Sequence, residues 1–224
     1  MFHVKHFFNF LFFLVFIPGK AQKIILDKEL AIHYPEPLKE IVQFNERQEG
    51  YFKLSEIERQ FFYWVNYSRK NPQMFYDSIV VPVSLLYPQL KGQNLESLQS
   101  EVRYTESLPL FILDSVLSKM ANSHASDLAI HNMPPSHSSS NGENFSERFK
   151  KYGLMNCGGE NISFGSLSGD PVFMLVLLYL DLNVSNLGHR KALLNPSYLR
   201  TGIASASYEN GNTIIVQDFA CKQE

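Results

Sequence analysis

The chain has 224 residues, 45% of them hydrophobic and 19% charged, which is enough apolar material for one well-packed domain and too little for two comfortable ones. With 20 basic and 22 acidic residues the net charge is -2, so there is no cationic surplus to hold nucleic acid by counterion release. Two cysteines are too few for a disulfide scaffold and wrongly spaced for a zinc ribbon or a CxxC redox centre.

Residues 1–21 begin with a short basic region at Lys5 and an apolar run from Phe7 to Ile17, broken by Pro18, Gly19 and Lys20. That run is shorter than the ~20 residues a membrane span needs, so it reads as a signal peptide cut before Gln22, with Gly19 and Ala21 as the small residues of the cleavage site. A retained anchor is the alternative, and after cleavage no span is expected. Export places Cys157 and Cys221 in an oxidising space, where they either form a bridge or stay as buried free thiols. Residues 22–50, with Pro35 and Pro37 and no sustained period, read as an N-terminal extension with little core of its own.

The domain proper is expected over 51–224. Ser55-x-x-Glu58 is a capping box, and Ile57, Phe61, Phe62, Trp64 and Val65 make an apolar face, so a helix is predicted over 55–69. Residues 72–107, too long for a structureless loop, are expected to hold short helices near 73–79 and 94–100. Leu113, Val116, Leu117, Met120, His124 and Leu128 step at helical spacing behind Asp114 or Ser115 as the cap. Asn144-x-x-Glu147 opens a short helix that Gly153 ends, and Asp170-Pro171 opens another whose Val172 to Leu180 is apolar all round and therefore buried. Thr201 to Tyr208 and Thr213 to Ala220 flank Asn210-Gly211 as a hairpin, with a further strand near Asn161 to Phe164. Helices first and a hairpin last give the α+β class, with helices packed on a small antiparallel sheet.

Two histidines stand off any apolar stripe: His137, in a loop of small residues, and His189, just after the buried helix. His124 lies on a stripe and is assigned to packing; His33 and His131 are expected at the surface. Glu160 follows two glycines that permit close approach to the chain, and Asp181 ends the apolar helix, where a buried acid needs a partner. These four positions are too dispersed for a local metal motif. Arg190 is expected either to pair with an acid near the cleft or to bond helix-end carbonyls.

From Leu113 to Ala220 the sequence resembles the CAP superfamily (cysteine-rich secretory, antigen 5, pathogenesis-related), also called the SCP domain, in its bacterial secreted branch. The resemblance rests on Ser123 to Leu128, Ser136-His137-Ser138 with Asn141-Gly142, Cys157-Gly158-Gly159-Glu160-Asn161-Ile162, Gly188-His189-Arg190, Thr201 to Ala204 and Val216-Gln217-Asp218-Phe219, in the family's order. It implies an α-β-α sandwich with a cleft of two histidines and two acids that holds a divalent metal such as zinc. His137, Glu160 and His189 match the pattern; Asp181 stands where the family has glutamate, one methylene longer, and is either the fourth member or a solvated helix-end residue. Glu160 is then either a ligand or a general base. The resemblance implies a secreted protein, extracellular or periplasmic, acting as a binding module for a lipid, glycan or protein ligand, or alternatively as a metal-assisted hydrolase of the peptidase kind.

Overall fold

A helix already forms in the segment expected to lack a core: α1, Lys39–Glu46, buries Ile41 and Asn45. The computed structural model describes residues 31–155, 157–165 and 170–222, so the leader read at 1–21 lies outside the described residues. Ser55 caps α2, Glu56–Lys70, with its hydroxyl accepting the Glu58 N–H while the Glu58 carboxylate accepts the Ser55 N–H. Ile41 belongs to the same apolar cluster as Phe61, Phe62 and Val65 of α2, and the Asn66 amide donates to Asn45 Oδ1 at 2.8 Å. The contact that makes α1 part of the core is long-range, and the local pattern carries no sign of it.

The 72–107 stretch is more helical than expected. It holds α3 (Pro72–Phe75), a wide π-helical turn (Tyr76–Val80), α4 (Val81–Leu86), a tight turn at Pro88–Leu90 and α5 (Gln93–Val102). Pro82 does not stop the run, because the wide turn just before it is a place where a missing N–H and a bulky ring are tolerated.

Asp114 caps α6, Ser115–Ile130, by accepting the N–H groups of Val116 and Leu117. Asn144 and Glu147 form the capping box of α7, Phe145–Lys151, which Gly153 follows at φ 75°. Asp170 caps α8, Pro171–Leu180, which is buried at every position but Leu177, and α9 spans Gly188–Leu193.

Four strands form one sheet in the order β1-β3-β4-β2: β1 is Ile112–Leu113, β2 Gly158–Gly165, β3 Arg200–Ser207 and β4 Thr213–Ala220. The β3–β4 hairpin closes at Ser207↔Thr213 around the Asn-Gly turn, and β2 lies antiparallel to β4 with Glu160 opposite Asp218. The sheet is mixed and not wholly antiparallel as expected, because the two-residue β1 runs parallel to β3. Helix α6 covers one face, laying Ala121, Ala125 and Ala129 against Ala204, Ile214 and Val216. Helices α2 and α8 cover the other, where Ile203, Ile215 and Phe219 point. The result is an α-β-α sandwich of the α+β class. Strand β2 is a sheet edge, and the Cys157–Cys221 disulfide ties its start to the end of β4.

Candidate functional site

The free edge of β2 borders a cleft of about 330 Å³. Glu160 reaches it from β2, His137 from the loop before α7, and His189, Lys191 and Asn195 from α9 and the residues after it. The two glycines before Glu160 sit where the chain is closely approached, mostly by side chains, with the Phe219 carbonyl oxygen 3.0 Å from where a Gly158 Cβ would be. A Cβ on Gly158 would sit 2.5 Å from the Phe149 ring, and one on Gly159 would sit 2.7 Å from the Tyr198 hydroxyl.

Each of the four residues singled out from sequence falls into a histidine–carboxylate pair. His137 Nδ1 donates to Glu160 Oε1 at 2.8 Å, and His189 Nδ1 donates to Asp181 Oδ1 at 2.5 Å. Both acids are buried, so Asp181 is not a solvated helix end. Its second oxygen accepts the backbone N–H of Arg190, and its own backbone is left-handed at φ 51°, a conformation Asp tolerates better than most residues. Among the described residues neither histidine's Nε2 has a hydrogen-bond partner, while both rings line the cleft. No group of three or more His, Cys, Asp or Glu side chains is arranged around a common ion position among the described residues.

Three buried arginines hold this geometry, and sequence reading missed the roles of two of them. Arg148 of α7 donates from Nη2 to Glu160 Oε2 at 2.7 Å and from Nη1 to the carbonyls of His137 and Glu143. Arg69 of α2 donates to the carbonyls of Pro109, Leu193, Asn195 and Tyr198, which fixes the far wall of the cleft. Burial pulls its guanidinium down to about 10. Arg190 meets the second expectation, with Nε donating to the Tyr179 carbonyl at the end of α8, while Nη1 reaches an acid away from the cleft, Glu101 Oε2 of α5, at 3.4 Å. Its remaining donors go to α5, at the Asn94 carbonyl and Ser97 Oγ, and the Asn94 amide in turn caps the carbonyls of Leu180 and Asp181. The 72–107 stretch therefore braces the Asp181–His189 corner.

His124 is fully buried, as packing requires, but it also carries a polar role. The Ser136 carbonyl, 2.8 Å from Nε2, requires the proton there, so Nδ1 accepts the Ser139 hydroxyl at 3.1 Å. Burial lowers its proton affinity, partly offset by the Glu160 charge, and holds the ring neutral. Ser139 is itself buried and spends its oxygen on Arg148, so the Ser–His contact presents no nucleophile to the cleft. His131 and His33 are exposed as expected.

Behind Glu160 lies a group that sequence reading passed over. Asp218 is wholly buried, and neither carboxyl oxygen has a hydrogen-bond partner among the described residues. Burial, then repulsion from the Glu160 charge, raises its carboxyl well above the usual carboxylate range. Glu160 goes the other way: burial would raise it, but the His137 hydrogen bond and the Arg148 charge outweigh that and keep it ionised. The folded protein thus holds a proton on Asp218 that the unfolded chain releases near 3.8. Native protein binds more protons above that value, so this group lowers stability as pH rises, until the folded carboxyl itself ionises. Asp218→Asn removes the penalty. Its stability relative to the parent is expected to rise with pH from about pH 4, by at most about 1.4 kcal/mol per pH unit while the folded carboxyl keeps its proton, read by urea denaturation at two pH values above about 4. An unchanged difference at the two pH values would contradict it.

An α-β-α sandwich with two carboxylate-anchored histidines along one sheet edge is the class of domain that the fold and cleft define. The sequence profile of CAP, the cysteine-rich secretory protein family, matches residues 97–219, more than half of the chain, and the chain belongs to that family. Among solved structures it is similar to an extracellular protein containing a SCP domain from Bacillus anthracis strain Ames, at 23% identity and TM-score 0.41, covering 64% of this chain and 39% of that one. It is also similar to an outer surface protein from Borrelia burgdorferi, at 20% identity and TM-score 0.42, covering 62% and 92%. The chain therefore spans well under half of the Bacillus protein. No curated protein matches it. Among the described residues no helix is long and apolar enough to cross a membrane.

Proposed function

We propose that this chain is a secreted CAP-domain binding module whose edge cleft takes up a ligand, with His137 and His189 held ready for a divalent ion. The observation that carries the reading is the pair of imidazoles, each anchored through Nδ1 to a buried carboxylate and each keeping Nε2 for the cleft. A carboxylate behind Nδ1 is the usual support of a metal-binding histidine, since it fixes the tautomer and the ring orientation. In this arrangement Glu160 and Asp181 orient the rings and are not themselves ligands. The donor set fits an open site of two imidazoles completed by water or ligand atoms, and does not fit a closed four-ligand zinc centre. A bound divalent ion would supply Lewis-acid attraction for a ligand oxygen. Secretion is supported by the leader pattern at 1–21 and by a disulfide, which persists in oxidising compartments.

The hydrolytic alternative asks Glu160 to act as a general base. One of its oxygens accepts from His137 and the other from Arg148, and its proton affinity is lowered, so the geometry favours binding over proton abstraction. The test is calorimetric titration with zinc and cobalt on the purified protein and on the His137→Ala/His189→Ala pair. Saturable uptake that is lost in the double variant, with an unchanged melting curve in the absence of metal, is the expected result. Equal uptake by the variant would remove the metal from the reading.

A further inference from the structure

The cleft's own hydrogen-bond accounts name the chemistry of its ligand. Almost every side-chain oxygen on its walls already accepts an N–H. Glu160 accepts from His137 and Arg148; Asn186 Oδ1 accepts the Gly188 N–H at 3.1 Å; Asn195 Oδ1 accepts the Ser197 N–H at 2.9 Å. Only the Tyr198 phenol oxygen takes no N–H, and its hydrogen goes to the Gly158 carbonyl at 2.9 Å. The donors are in the opposite condition. With both amide oxygens fixed by backbone, the NH2 groups of Asn186 and Asn195 have no partner among the described residues, and neither does the exposed ammonium of Lys191. All three come from one stretch of chain, 186–195, which forms one wall. The charge balance agrees: among the described residues Glu160 is the only acid lining the cleft and is neutralised from behind by Arg148, while Lys191 has no acidic partner.

We infer that the cleft receives an acceptor-rich anionic group, a carboxylate or phosphate, gripped by Lys191 and the amides of Asn186 and Asn195. This rests on the reading of the cleft as a ligand site and specifies what enters it. A neutral, donor-bearing ligand would find few acceptors there, whereas an anion makes charge-assisted bonds with donors that are otherwise spent on water. The three groups are fixed to different degrees. The two amides are pre-oriented by their backbone bonds, and Lys191 supplies the charge on a flexible stem.

The test follows backbone amide resonances of the 15N-labelled protein during titration with inorganic phosphate, galacturonate, its neutral counterpart galactose, and vesicles of phosphatidylglycerol or phosphatidylcholine. Saturable shifts over 186–195 with phosphate or galacturonate but not galactose are expected. Lys191→Glu, on an exposed side chain and so without effect on folding, should weaken binding by roughly tenfold or more. Response to phosphatidylglycerol alone would name a lipid headgroup as the source of the same anionic group. Equal shifts with galactose, or an affinity untouched by Lys191→Glu, would overturn the inference and leave the cleft a ligand site. If zinc and every anion alike leave the cleft resonances unmoved, both the inference and the binding reading fall.

Discussion

Replacing Arg148 by methionine is expected to cost about 3–5 kcal/mol of folding stability, the range for breaking a buried ion pair from one side. The guanidinium and the Glu160 carboxylate are both almost without solvent contact, at 3% and 1% side-chain exposure, and lie 2.7 Å apart. Methionine fills much of the volume but returns no donor to Glu160, to the carbonyls of His137 and Glu143, or to Ser139. The Glu160 carboxylate would then keep only its His137 hydrogen bond, with no cation beside it and the protonated Asp218 opposite it across the β2–β4 ladder. Adding Glu160→Gln removes the stranded charge, so the double variant should recover a large part of the loss. Urea denaturation of the single and double variants measures this. A single-variant loss under ~1 kcal/mol would place the pair in the weak class of surface salt bridges and would contradict the account.

Gly202→Ala should be nearly as damaging for a purely steric reason. A Cβ there would lie 2.1 Å from both the Leu117 carbonyl carbon and the Ser118 nitrogen, which are backbone atoms of α6 and cannot rotate away. Alanines on α6 and β3 allow helix and sheet to approach closely, and Gly202 lies directly under the Leu117–Ser118 peptide of α6. Lifting α6 loosens His124 and with it the loop that presents His137. A cost of about 3 kcal/mol is expected for overpacking of this severity, or a melting point lower by roughly 6–12 °C for a chain of this size. Thermal melts followed by circular dichroism decide it; a shift within ~2 °C would mean the helix yields more easily than its contacts imply.

The local signals of the fold were legible where they were chemical and short-range. The capping boxes at Ser55 and Asn144, the Asp170-Pro171 start and the Asn210-Gly211 turn each specify their element within a few residues. The π-helical turn before Pro82 and the docking of α1 were not legible, since both depend on contacts made only after the chain collapses. In the cleft, His137, Glu160 and His189 were recognisable by motif, and Asp181 as an acid in need of a partner. Arg69 and Arg148 were not, because arginine is ordinarily a surface residue and most of their bonds go to backbone carbonyls, which no side-chain pattern encodes. Asp218 was quoted within a motif, yet its burial beside another acid could not be read from an alternating strand.

The grip of α5 on the carboxyl end of α8 bears on how this domain tolerates change. Asn94, Ser97 and Glu101 reach the same turn that sets Asp181 and the Arg190 backbone, so α5, at the start of the family match, is also the scaffolding of one histidine. A relative that shortened this region would have to find other caps for those carbonyls, or accept a looser ring at His189. Grafting experiments that treat residues 72–107 as a removable ornament should therefore disturb chemistry on the opposite side of α8 before they disturb solubility.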